Sequence, residues 1–203
     1  MAVAKSVEGP RKVCFATIGA TASFNALLEA VLTRTFLDTL EKFGYTDLIL
    51  QYGKDGFSIL ERFRESEERV SKTTSNINIG GFDFNRQGLG QEMRAAKGEN
   101  GDLEGVVISH AGTGSILDAL RISVPLVVVP NSSLLDNHQV ELAEELSKQG
   151  YVIHGSLDDL SAAIQESEIL RKKPRPWPSS NRGDDLSGRG LAGVMDEEMG
   201  FVD

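Results

Sequence analysis

Apolar positions along this chain follow two alternating patterns. Short apolar runs closed by glycine, proline or a polar residue alternate with longer stretches whose apolar positions recur at helical spacing. Val13 to Ile18 reads as a buried strand ending at Gly19, and Phe24, Leu27, Leu28, Val31, Leu32 and Phe36 then follow one helical face. Asp47 to Tyr52 is a second strand stopped by Gly53, with a helical pattern over Phe57 to Phe63. Asn76 to Phe82 alternates like a strand and then turns, residues 84–97 have helical character, and 97–105 (KGENGDLEG) read as a polar surface loop. Val106 to Ser109 predicts a strand and Ser115 to Leu120 a helix. Pro125 to Pro130 is the most apolar strand, followed by a helix over Asn137 to Gln149 with Gly150 at its C′ position. Tyr151 to Ile153 and Leu157 to Ser167 complete the alternation as a short strand and a last core helix.

The strands are apolar without strict alternation, as expected of a parallel sheet covered on both faces. The prediction is therefore an α/β, Rossmann-like doubly wound fold with a mainly parallel sheet. From Lys172 the composition changes. Residues 172–185 carry three of the six prolines and read as a linker after a domain spanning 1–171. Residues 186–203 form a tail with apolar Leu191, Val194, Met195, Met199 and Phe201, suited to docking on its own domain or on a partner.

Composition narrows the functional classes. The 203 residues include 21 Lys+Arg against 30 Asp+Glu, a net charge of −9, which argues against nucleic-acid binding. No apolar run reaches the ~20 residues that cross a bilayer, and the first residues lack the apolar segment of a signal peptide. The single cysteine, Cys14, fits a reducing compartment and a buried strand position.

In open α/β sheets ligands bind beyond the carboxyl ends of the strands. Two such ends are rich in small residues: Thr17-Ile18-Gly19-Ala20-Thr21-Ala22-Ser23, and Ser109-His110-Ala111-Gly112-Thr113-Gly114-Ser115. Glycine admits close approach by a ligand, and a helix N-terminus offers unpaired N–H groups with partial positive charge. Together they make a phosphate or diphosphate cradle. Neither loop is GxxxxGK[ST], and GTGSIL lacks the third glycine of GxGxxG, which disfavours a P-loop and a nicotinamide dinucleotide site. The three histidines have no metal spacing and there is no Asp-x-Asp, so no metal cofactor is expected. His110 stands out by its place at a strand end beside a glycine turn. Asp136-Asn137-His138-Gln139 opens a helix after the PLVVVP strand and would cap that helix, face the same crevice, or both.

The ordered array SHAGTGSILDAL, VPLVVVP and DNHQVELAEEL resembles the nucleotide-sugar-binding, C-terminal half of GT-B glycosyltransferases. Within that group the chain is most similar to the catalytic subunits of the two-subunit N-acetylglucosaminyltransferase of dolichol-linked oligosaccharide synthesis, relatives of the bacterial MurG transferase. TIGATASFNALLEAV, QYGKDG and the terminal DEEMGF, the last like fungal members, support the same resemblance, which is strong over about 12–170. It implies a UDP-N-acetylglucosamine site. Gly19 and Thr21 would lie against the nucleotide diphosphate, and His110, Gly112, Gly114 and Ser115 would cradle it. Asp118 stands where relatives carry a longer glutamate on the ribose hydroxyls. Gln139, with Asn137 beside it, would hold the donor sugar, and Phe82 and Asp83 lie in a turn that contacts uracil.

The resemblance further implies an inverting, β1,4-forming transfer of the second N-acetylglucosamine to N-acetylglucosaminyl-diphosphodolichol. The acceptor would come from a membrane-anchored partner subunit that recruits this chain from the cytoplasm to the cytosolic face of the endoplasmic reticulum. His110 is expected as a diphosphate ligand, with a role as general base the alternative. No other base is evident, which points to the partner. A non-catalytic nucleotide-sugar-binding regulatory subunit is the competing reading.

Overall fold

The computed structural model describes residues 9–19, 23–69, 75–131 and 138–171. Residues 172–203, which hold the predicted linker and tail, lie outside the described residues, as do Thr21 and Asn137.

Six strands form one sheet: β1 (Lys12–Thr17), β2 (Asp47–Gln51), β3 (Asn78–Phe82), β4 (Leu103–His110), β5 (Leu126–Val129) and β6 (Ile153–His154). Their order is β3-β2-β1-β4-β5-β6 and every pairing is parallel. Seven described helices cover the two faces: α1 (Asn25–Val31), α2 (Arg34–Lys42), α3 (Phe57–Arg69), α4 (Gly90–Lys97), α5 (Thr113–Ile122), α6 (His138–Lys148) and α7 (Leu160–Arg171). Successive strand residues point to opposite faces, so Cys14 and Ala16 join the core under α1, α2, α3 and α7, while Val13 and Phe15 join the core under α4, α5 and α6. This is the doubly wound sheet that the unbroken apolar strands predicted. The strand order reverses between β1 and β4.

Several boundaries differ from the sequence expectation, each for a local reason. The helical pattern from Phe24 to Phe36 is two helices, because Thr33 is extended and its hydroxyl accepts from the Phe36 N–H to start α2. Residues 84–89 are not helical. Asn85 accepts from the Gln87 N–H, and Gly88, at φ +82°, turns the chain, so α4 begins only at Gly90. The polar 97–105 stretch is largely structured. Gly98 closes α4 at φ +79°, a single 3₁₀ turn follows, and β4 begins at Leu103, whose N–H donates to Arg11. A Cβ on Gly105 would lie 1.8 Å from the Val13 carbonyl oxygen, so only glycine allows β4 this close to β1.

Charged groups bind the amino edge of the sheet. Lys12 is nearly buried; its ammonium donates to the Phe43 carbonyl, pairs with Glu168 at 3.0 Å and sits over the Tyr45 ring. Arg171 pairs with Glu168 and Glu104 and donates to the Glu104 and Gly105 carbonyls, which carries α7 past its predicted end at Ser167. Asp47 accepts from Arg11, Thr46 and Asn78. Burial alone would raise the Asp47 carboxyl, but these donors outweigh it and hold the group below its ordinary value.

A carboxylate held low in the folded state contributes stability above its unfolded pKa, about 3.9, and loses it as pH falls from there through the lower folded value. Asp47→Asn is expected to cost about 1–2 kcal/mol at neutral pH and to flatten the acid limb of the stability curve. Denaturant unfolding of both proteins from about pH 2 to pH 7 measures the two effects.

Candidate functional site

The reversal between β1 and β4 opens a crevice at the carboxyl edge. β1 delivers Thr17 and then Gly19 to one side. β4 delivers His110 to the other, and the chain passes through Gly112 into α5. The His110 ring is enclosed by the two glycines. A Cβ on Gly19 would lie 2.3 Å from its Cε1, and a Cβ on Gly112 would lie 2.2 Å from its Nε2. Gly19 is also at φ +78°, a conformation that favours glycine. Among the described residues, Nδ1 of His110 is buried without a hydrogen-bond partner. Burial pushes the imidazole below its ordinary value, against a weaker opposing pull from the Thr17 main chain. The ring is therefore neutral at pH 7 and carries one N–H donor.

The first turn of α5 faces this crevice. Gly112, at φ −84° and ψ 123°, is its N-cap residue and supplies no side-chain cap. The first intrahelical bond runs from the Ile116 N–H to the Gly112 carbonyl, so Thr113, Gly114 and Ser115 keep N–H groups with no partner inside the helix. Gly114 is exposed, and a Cβ there would meet no atom of the described residues within 4 Å. A glycine inside a helix costs stability relative to alanine. Among the described residues no packing requires one here, and its small size leaves room before a positive helix end.

The other predicted residues take distinct places. Asp118 lies one turn along α5 on its exposed side, paired with Arg121 at 3.4 Å. Gln139, at the start of α6, accepts from the Asn131 N–H at 3.0 Å and so closes the loop after β5. Phe82 does not face the crevice. Its ring stacks on Phe15 and its carbonyl accepts from the Tyr52 N–H. The Asp83 carboxylate accepts from the Phe84 N–H, and its carbonyl accepts from Gly53 and Gln51. The aromatic side chain this turn exposes is Phe84, which no sequence pattern singled out.

Sequence assigns no site role to Gln51, the last residue of β2 and the first of QYGKDG. Its Oε1 accepts from the Thr17 hydroxyl at 2.7 Å and the Gly19 N–H at 3.1 Å. Its Nε2 donates to the Gly19 carbonyl at 3.1 Å and the Asp83 carbonyl at 2.9 Å. The carboxyl ends of β1, β2 and β3 are thus joined through one side chain.

Residues 13–176 match the glycosyltransferase family 28 C-terminal domain. The chain belongs to glycosyltransferase family 28. The match takes in both loops of the crevice and the start of α6. The chain is 34% identical to the UDP-N-acetylglucosamine transferase subunit ALG13 of Saccharomyces cerevisiae, over 81% of its own length and 89% of that subunit. It is 38% identical to the subunit of the same name from Yarrowia lipolytica, over 77% and 71% of the two chains. An NMR structure of ALG13 aligns with a TM-score of 0.60 and 27% identity, covering 94% of this chain and 95% of that one. The MurG crystal structure from Acinetobacter baumannii shares the fold, with a TM-score of 0.52 and 15% identity over 81% of this chain and 42% of MurG. This family-28 chain therefore has the doubly wound architecture seen within GT-B enzymes.

The three crevice glycines are expected to respond differently to alanine. Gly19→Ala and Gly112→Ala force a methyl group into the His110 ring and should each cost about 1–3 kcal/mol. Gly114→Ala should leave stability unchanged or raise it by up to about 1 kcal/mol. Thermal and denaturant unfolding of the three variants checks this order.

Proposed function

We propose that this chain binds UDP-N-acetylglucosamine and, together with a membrane-anchored acceptor-binding subunit, transfers N-acetylglucosamine to N-acetylglucosaminyl-diphosphodolichol, forming a β1,4 bond with inversion. The observation that carries the reading is the N-terminus of α5, without a side-chain cap and fronted by Gly112 and the exposed Gly114 where the strand order reverses. The relatives' names, UDP-N-acetylglucosamine transferase subunits, supply the donor and the need for a second chain.

In the proposed reaction the acceptor hydroxyl attacks the anomeric carbon of the donor sugar. The bond to the β-phosphate oxygen breaks, and negative charge grows on the departing UDP. The N–H groups of Thr113, Gly114 and Ser115 and the N–H of the neutral His110 ring are positioned to meet that charge. On this reading Gly19 would line the opposite side of the diphosphate, and the resemblance gives Thr21 the same role. The reading calls for no metal, since main-chain donors and the helix dipole serve the phosphates. Asp118 would take the ribose hydroxyls; its exposed pairing with Arg121 is the weak kind that a ligand can displace. Gln139 has its oxygen engaged by the Asn131 N–H, so its amide nitrogen is the group offered to the sugar; the resemblance gives Asn137 the same task. The acceptor hydroxyl must lose a proton. The enclosure of His110 between Gly19 and Gly112 favours its role as a diphosphate ligand, and the base is assigned to the partner. No described helix is long and apolar enough to cross a membrane, and the reading gives membrane anchoring to the partner, on the cytosolic face of the endoplasmic reticulum.

The test is a transferase assay on the co-expressed complex, using UDP-N-acetylglucosamine and the lipid-linked acceptor. His110→Ala is expected to lower kcat/KM by about 10²-fold. Gly114→Ala is expected to raise the donor KM by about tenfold while the protein stays folded. Unchanged activity and donor affinity in His110→Ala would overturn the site. Transfer to the lipid by the isolated chain would overturn the two-chain reading.

A further inference from the structure

We infer that Gln51 is the positioning residue of this crevice: its carboxamide fixes the Gly19 main chain against the His110 ring and thereby sets the gap that receives the donor. The inference rests on the donor-binding reading above.

Gln51 is 3% exposed and lies one strand away from the crevice, so it does not itself reach a ligand. Its influence passes through main chain. Both polar groups of Gly19 are held by the one carboxamide, the N–H by Oε1 and the carbonyl by Nε2. The Thr17 hydroxyl adds a second acceptor for the Gly19 N–H at 3.2 Å. Reversing the amide would set two donors against the Gly19 N–H and the carboxamide oxygen against two carbonyls. Only one orientation satisfies all four contacts. The same amide reaches Asp83, so the β3 turn is placed relative to the β1 loop.

A fully bonded buried amide contributes more to a unique geometry than to net stability. An apolar side chain of similar length would fill the space between β1 and β3 equally well. It would leave the Gly19 carbonyl without this partner and let the loop drift from the ring it covers. Because Gly19 meets His110 at van der Waals limits, a shift there moves the imidazole and the crevice wall together.

Gln51→Met keeps length and neutrality and removes all four hydrogen bonds. Gln51→Glu keeps the two acceptor contacts and loses both donor contacts. In the full chain, NMR should show the Gly19 amide of Gln51→Met exchanging at least about tenfold faster, with shifted His110 ring resonances. In the assembled enzyme the donor KM should rise about tenfold or more while the acceptor KM changes by less than about threefold. Should Gln51→Met fail to fold, Gln51→Glu gives the same two measurements, with the His110 resonances and donor KM moving in the same way. A folded variant with wild-type Gly19 exchange and His110 resonances would overturn the clamp, whatever the donor is. A released Gly19 with an unchanged donor KM would overturn the positioning role. Absence of UDP-N-acetylglucosamine turnover by the wild-type complex would strike the donor reading alone, and the NMR measurements would still decide the clamp.

Discussion

The carboxamide of Gln51 spends all its hydrogen-bonding capacity within the protein, and the candidate site depends on where it spends it. Parallel strands keep register along their length through main-chain bonds, but those bonds stop where the strands stop. Beyond that edge the loops need other restraints. Gln51 supplies them for three strand ends at once, through Thr17, Gly19 and Asp83. Gly19 then covers His110, which belongs to the fourth strand. One buried side chain on β2 thus couples β3, β1 and β4 across the point where a doubly wound sheet opens its crevice.

The two edges of the sheet solve opposite problems. At the amino edge, Lys12, Glu168, Arg171 and Glu104 bind α7 to β1 and β4, while Arg11 and Asp47 join β1 to β2. Buried ion pairs of this kind add little net stability, because desolvation offsets their attraction, yet breaking one partner is costly. They fix how α7 meets the sheet. At the carboxyl edge the restraint is neutral, made by an amide, a hydroxyl and main chain. Beyond it the first turn of α5 presents main-chain N–H groups with no partner inside the helix, an arrangement that favours an anion.

Much of this was legible along the chain. The apolar strands, the glycine turn after His110 and the helix it opens all follow from local pattern, and the structure brings Gly19 and Gly112 against the His110 ring. What escaped depends on long-range contact. Gln51 looks like an ordinary strand end until folding brings Thr17, 34 positions away, and Asp83, 32 positions away, to its amide. Apolar spacing could not reveal the break between α1 and α2, because both bury residues in the same core; the capping Thr33 was the available signal. The start of β4 at Leu103 was hidden by the polar sequence around it. Pairing with β1 overrode that local preference, as sheet contacts commonly do. The resemblance places Phe82 and Asp83 in a turn that contacts uracil; the pleat sets the Phe82 ring on Phe15 and leaves Phe84 outside.

The state of His110 divides the proposed chemistry between two chains. A buried neutral imidazole can donate one hydrogen bond to a diphosphate oxygen and adds no counter-charge; the helix end provides the field. To serve as a base, the same ring would have to accept a proton and hold a positive charge in the place that burial makes unfavourable. It would also have to reach the acceptor hydroxyl from between two glycines that contact it on either side. The enclosure that suits His110 to a leaving group therefore counts against it as a base. On the proposed reading, proton removal falls to a residue approaching from across the crevice, on the chain that carries the acceptor.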